Sequence, residues 1–160
     1  MRTAIIYTTK YGTTEKVAAS IAEKLKGTNT VEMFSLNTNT YPNIQDFETV
    51  ILGTPIYAGQ APNKIKAFCK ANKSVLLQKM MGLFVCGMHP DKEQQHKELK
   101  DAYPEVLLKN ATVAEFMGGA FLFERMNFFE RLIIKKIAKT TTSIQQIDLN
   151  VVDEFVAKLK

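Results

Sequence analysis

Five short apolar segments rich in β-branched residues alternate with segments patterned at helical spacing, and this alternation is the tightest constraint on the fold. A strand apolar along its whole length must be covered on both faces. Thr3–Thr8 (TAIIYT) reads as a first strand and Thr30–Leu36 as a second, near a sheet edge. Thr49–Gly53 (TVILG), Met80–Gly87 (MMGLFVCG) and Ala111–Ala120 (ATVAEFMGGA) read as the third, fourth and fifth. Across Thr14–Lys26, residues Val17, Ala18, Ile21, Ala22 and Leu25 make one helical face, with Gly27 as a stop. Pro62 opens a helix with Ile65, Phe68 and Cys69 on its apolar side. Asp91 and Gln94 mark the cap of a polar helix ending near Tyr103. A last helix begins near Asp148 and carries Val151, Val152, Phe155, Val156 and Leu159. Strands alternating with helices and joined by right-handed crossovers predict an α/β three-layer sandwich. Its five-stranded parallel sheet takes the order 2-1-3-4-5. With no linker, repeat or low-complexity run, residues 1–160 read as one domain with an insert at 121–146.

The hydrophobic fraction of 46% and charged fraction of 23% are those of a globular chain, which excludes a disordered one. No apolar run reaches the length of a membrane span. Met1-Arg2-Thr3 runs straight into an apolar segment without a signal-peptide pattern. The two cysteines, Cys69 and Cys86, lie far apart, so the expected location is the cytoplasm. The net charge of +5 comes wholly from residues 61–160, because residues 1–60 carry five cations and five carboxylates. The positive charge is too interspersed with carboxylates to form a nucleic-acid stripe, and no nucleic-acid partner is expected.

In an open parallel sheet ligands bind beyond the carboxyl ends of the strands, where strand order reverses. That selects the loops after strands one, three and four. The first, Thr8-Thr9-Lys10-Tyr11-Gly12-Thr13-Thr14, joins a buried strand to a helix N-terminus, which favours a phosphate. Thr9, Thr13 and Thr14 offer hydroxyls, and Gly12 permits close backbone approach. The alternative is a Thr-rich turn in which Thr14 simply caps its helix. A nucleoside triphosphate loop (GxxxxGK[ST]) and the dinucleotide fingerprint (GxGxxG) are both missing. Thr8 and Gly53 stand where a phosphoacceptor domain needs carboxylates. His89, Asp91 and His96 match no standard metal-ligand spacing, so no metal is assigned.

The run Thr9-Lys10-Tyr11-Gly12-Thr13-Thr14 resembles the [ST]-x-[ST]-G-x-[ST] phosphate loop of flavodoxins. Gly53-Thr54-Pro55-Ile56-Tyr57-Ala58-Gly59 resembles the flavodoxin loop that packs on the isoalloxazine ring. The nearer likeness is to the menaquinone-dependent protoporphyrinogen dehydrogenases, where a basic and aromatic insert also follows strand five. Gly119-Ala120, Arg125 and Phe128-Phe129-Glu130-Arg131 through Ile137 are similar in character and placement. The resemblance implies a flavodoxin-like fold with FMN as cofactor. It gives Thr9, Lys10, Tyr11, Gly12, Thr13 and Thr14 to the phosphate. Thr54, Pro55, Ile56, Tyr57, Ala58 and Gly59 go to the ring, with Tyr57 stacking on one face or standing as a rim aromatic. Cys86, Gly87, Met88 and His89 line the side after strand four, with Cys86 a candidate exposed thiol. No catalytic residue is named. Tyr11 departs from the family's Ser or Thr, and Lys10 adds a cation that acidic electron carriers lack.

The implied partners are a redox partner or quinone and a porphyrin substrate. In the insert, Phe129, Ile133 and Ile137 form a stripe, with Arg131, Lys135 and Lys139 on another face. That pattern suits a helix at a membrane surface through 121–139, or a helix packed on the domain with solvated lysines outside. A cytoplasmic protein peripheral to the membrane is the expectation that follows.

Overall fold

The computed structural model describes residues 1–121 and 144–160. The reading of 121–139 as a membrane-facing helix therefore lies outside the described residues, apart from Phe121. Strands β1 (Arg2–Tyr7), β2 (Thr30–Ser35), β3 (Thr49–Pro55), β4 (Met80–Cys86) and β5 (Val113–Phe116) form one parallel sheet in the order β2-β1-β3-β4-β5. This is the predicted topology.

Alternation along each strand explains the two covered faces. Ala4, Ile6, Val50, Leu52, Leu83 and Val85 face α2 (Asn63–Ala71), α3 (Lys73–Leu76), α4 (Lys92–Ala102) and α5 (Glu105–Asn110). Ile5, Tyr7, Ile51, Phe84 and Cys86 face α1 (Thr13–Leu25) and the C-terminal helix (Leu149–Lys158). α1 contributes Val17, Ala18, Ile21, Ala22 and Leu25, the stripe read from the sequence. Tyr103, fully within the first cluster, points its hydroxyl at the Leu52 and Phe84 carbonyls at 2.9 and 2.6 Å.

Two boundaries and one added helix differ from expectation. β3 runs two residues further, because Thr54 and Pro55 stay in register with Val85 and Cys86. The polar helix ends at Ala102 with Tyr103 as its cap, as expected, but a second short helix, α5, follows Pro104. β5 stops at Phe116 although the apolar run continues. Gly118 turns the chain with φ of 78°, and a Cβ there would lie 2.0 Å from the Gln146 carbonyl oxygen. Beyond that turn, β6 (Ala120–Phe121) pairs antiparallel with β7 (Ile144–Gln145).

Two phenylalanines fill gaps left by glycines in the sheet. A Cβ on Gly53 would sit 2.1 Å from the Phe84 ring, and one on Gly82 would sit 2.7 Å from the Phe155 ring. The two rings meet edge to face at 6.1 Å. Gly53→Ala should therefore overpack the centre of the sheet and cost about 1–3 kcal/mol. Urea denaturation measures this, and an unchanged midpoint would contradict the packing.

Candidate functional site

β1 ends at Tyr7, and the chain crosses the carboxyl edge of the sheet before α1 starts at Thr13. The Thr8 N–H donates to the Gly53 carbonyl at 3.0 Å, and the Thr8 and Thr54 hydroxyls meet at 3.1 Å. Asn37 clamps the next peptide, donating from Nδ2 to the Thr9 carbonyl at 2.8 Å. The Thr9 hydroxyl accepts from the Gly12 N–H at 2.9 Å. Gly12 has φ of 91° and serves as N-cap of α1, with no side chain among the described residues capping that helix.

The first-turn amides of Thr13, Thr14 and Glu15 thus lack helical acceptors and lie at the positive end of the helix dipole. Thr14 is 1% exposed, and its hydroxyl neighbours the buried Cys86 thiol. It lies inside the helix, so the simple-cap alternative for Thr14 falls. First-turn amides without helical acceptors and a glycine in the left-handed region suit a ligand with several anionic oxygens, such as a phosphate monoester. Glu15, in the same turn, is turned aside to accept from the Tyr7 hydroxyl at 2.9 Å. Burial first, and then Glu15, push the Tyr7 phenol up to about 12.

The loop after β3 is a tight turn. Tyr57 and Gln60 exchange two backbone hydrogen bonds, 2.9 and 3.0 Å, around Ala58 at φ 49° and Gly59 at φ 76°. Positive φ at both central positions is the type I′ pattern. Alanine at the first of them carries strain of about 1–2 kcal/mol, and such strain gathers at functional sites. The Lys10 ammonium lies 3.9 Å from the Tyr57 ring centre and 5.5 Å from that of Tyr11. The two tyrosine rings stand edge-on at 6.4 Å. Lys10, Tyr11 and Tyr57 thereby join the loop after β1 to the loop after β3. Pro55 and Ile56 are half-buried, and the Ile56 N–H donates to the Cys86 carbonyl at 2.7 Å, which ties in the fourth strand.

After β4, the Gly87 N–H donates to the Gly118 carbonyl at 2.9 Å. Met88 is half-buried and His89 exposed. His89 Nδ1 accepts from the Asp91 N–H at 3.1 Å, and Gln95 donates to the His89 carbonyl at 2.6 Å. Asp91 caps α4 by accepting from the Gln94 N–H at 2.9 Å, as the sequence predicts. The topology brings all three loops to one edge of the sheet. Cys86 corrects the expectation of an exposed thiol: it is 3% exposed, and its side chain packs in the core with α1 and the C-terminal helix. Its odd-even position in β4, in phase with Phe84, points it inward.

Two residues stand outside the sequence-based expectations. Asn37 sits in a polar run whose contact with Thr9 is purely tertiary. Glu98 is only 6% exposed, with Oε2 lacking a partner among the described residues. Its spacing from Leu99 and Ala102 puts it on the buried face of α4, a signal the sequence does carry.

A family model for the Flavodoxin domain matches residues 4–148. Protoporphyrinogen IX dehydrogenase (quinone) of Escherichia coli strain K12 is 21% identical over 144 residues, covering 87% of this chain and 80% of that one. Among solved structures, two-electron reduced Megasphaera elsdenii flavodoxin superposes with TM-score 0.58 at 17% identity, covering 71% of this chain and 84% of that chain. Oxidised Flavodoxin 1 from Bacillus cereus gives TM-score 0.54 at 17% identity, covering 98% of both chains. These likenesses establish the shared fold.

Burial pushes the Cys86 thiol up to about 12, opposed in part by the neighbouring Thr14 hydroxyl, and burial alone does the same for Cys69. Thiolate is the reactive form. Neither cysteine should react with iodoacetamide in the native protein at pH 8, and both should react in urea. Rapid native labelling of Cys86, read by mass spectrometry, would contradict its placement.

Proposed function

Because the chain belongs to the flavodoxin domain family, we propose that it is an FMN-binding oxidoreductase. In this reading it passes electrons from a reduced substrate through FMN to a quinone or another acceptor, in the manner of a protoporphyrinogen dehydrogenase. The observation that carries the cofactor reading is the N-terminus of α1, which no described side chain caps and which Gly12 opens in the left-handed region. The residues present fit FMN. Thr9 to Thr14 hold the phosphate, with Lys10 adding a cation at the rim. Tyr57 offers an aromatic face, Pro55 and Ile56 an apolar wall. The backbone of Thr54, Ala58, Gly59, Gly87, Met88 and His89 meets the polar edge of the ring. When bound, FMN supplies one- and two-electron chemistry, while the protein supplies orientation and electrostatics.

The likeness to the Escherichia coli enzyme supports a porphyrin substrate and quinone acceptor, as does the basic charge, since porphyrin carboxylates are anionic. The same reading gives 121–139 the role of touching the membrane in which quinones reside. Among the described residues no helix is long and apolar enough to cross it. The second reading is a general electron-transfer flavodoxin, favoured by the superposition on flavodoxins. A net charge of +5 argues against it, since such carriers present acidic faces to basic partners.

The purified protein should take up FMN and turn yellow, and Gly12→Val should weaken binding by about 100-fold, roughly 2.7 kcal/mol. Equal affinity of the variant, measured by flavin fluorescence quenching, would show that the phosphate sits elsewhere. The loaded protein should then oxidise protoporphyrinogen anaerobically with a menaquinone analogue. Failure of that step alone would favour the carrier.

A further inference from the structure

Glu98 stands on α4 among side chains that pack against the sheet. The neighbouring Leu99 and Ala102 are apolar, and Glu98 is nearly as buried as they are, at 6% exposure. Its Oε2 has no hydrogen-bond partner among the described residues. A Cβ built on Gly87 would lie 3.5 Å from that oxygen and 3.0 Å from the Phe116 ring. The carboxyl group therefore occupies the floor under Gly87, in a cradle that any side chain at position 87 would fill. Gly87 is held there by its hydrogen bond to Gly118 and by the close packing of Gly119 on its carbonyl.

A carboxylate with one oxygen buried and unpartnered among the described residues is costly, and packing alone would be served by an apolar residue. We propose that Glu98 is a proton-carrying positioning residue of the flavin pocket, taking up one proton from solvent when an electron pair enters the pocket and releasing it when the pair leaves. This inference rests on the FMN reading above. His89 faces Glu98 from the loop after β4, and Lys97 faces it from its own helix, while β5 presents the apolar Phe116 ring. Burial pushes the carboxyl up from the ordinary carboxylate range, and His89 and then Lys97 pull it down. Burial is the larger of these effects, so the net direction is upward. A new negative charge nearby raises the cost of the carboxylate further, so protonation follows reduction. His89 itself is exposed, and its Nδ1 accepts from the Asp91 N–H.

The balance is simple. Two electrons from the reductant and one proton convert oxidised FMN to its reduced anion. A second proton, from solvent, converts the Glu98 carboxylate to the acid. Reoxidation returns both protons and passes the electrons to the acceptor.

The test compares FMN-loaded wild-type protein with Glu98→Gln by anaerobic dye titration with dithionite from pH 5 to 9. In the wild type, one extra proton per electron pair changes the reduced-to-oxidised ratio by a further tenfold per pH unit. That is about 30 mV for a two-electron couple. The extra slope spans the window between the carboxyl pKa of the oxidised protein and that of the reduced protein, and Glu98→Gln should lose it. Carboxyl carbon NMR should show Glu98 titrating at higher pH in the reduced protein. A purely structural role would alter stability and leave the slope in place. Equal slopes in the two proteins, or a Glu98 titration indifferent to reduction, overturn the proposal. If neither protein binds FMN, the cofactor reading falls and takes this one with it.

Discussion

A parallel sheet buried on both faces leaves few places where backbone donors can stay unpaired, and the carboxyl edge between β1 and β3 is one of them. There the strand order reverses, the neighbouring crossovers part, and the first turn of α1 is left with amides that no described side chain caps. The rest of the site follows from that constraint. Asn37, Thr8 and Thr54 fix the approach to the turn, and Gly12 supplies the backbone conformation that lets the helix begin without a side chain across its end.

The sheet behind this edge is stiff. Phe84 and Phe155 fill the spaces over Gly53 and Gly82, so β3 and β4 end at defined heights. The loops they carry are tied to each other by backbone hydrogen bonds, Ile56 to Cys86 and Gly87 to Gly118. Among the described residues, Ala58 is the non-glycine residue at positive φ, in the turn that offers Tyr57 to the pocket. That strained turn and the buried Glu98 carboxyl put the adjustable elements next to the proposed cofactor.

Much of this was legible in the residues. The doubly buried strands announced themselves as continuous apolar runs, and the α1 stripe and the Asp91 cap follow from local chemistry. What could not be read depended on contacts distant in sequence. Nothing in ATVAEFMGGA says that β5 stops at Phe116; the stop comes from the fit of Gly118 against Gln146 and of Gly119 against Gly87. Cys86 looked like a rim residue because it ends a strand, yet its phase along β4 turns it into the core. Lys10 could be placed in the phosphate loop but not over Tyr57, since a flexible cation finds its ring only in the folded state.

The central claim is that the N-terminus of α1 holds the phosphate of a flavin nucleotide. Titrating the protein with FMN and, separately, with riboflavin tests it directly, because the two differ only in that phosphate. The account predicts FMN binding at least about 100-fold tighter, some 2.7 kcal/mol, with the amide NMR shifts concentrated at Gly12, Thr13, Thr14 and Glu15. Equal affinity for the two flavins, with those amides unmoved, would contradict it.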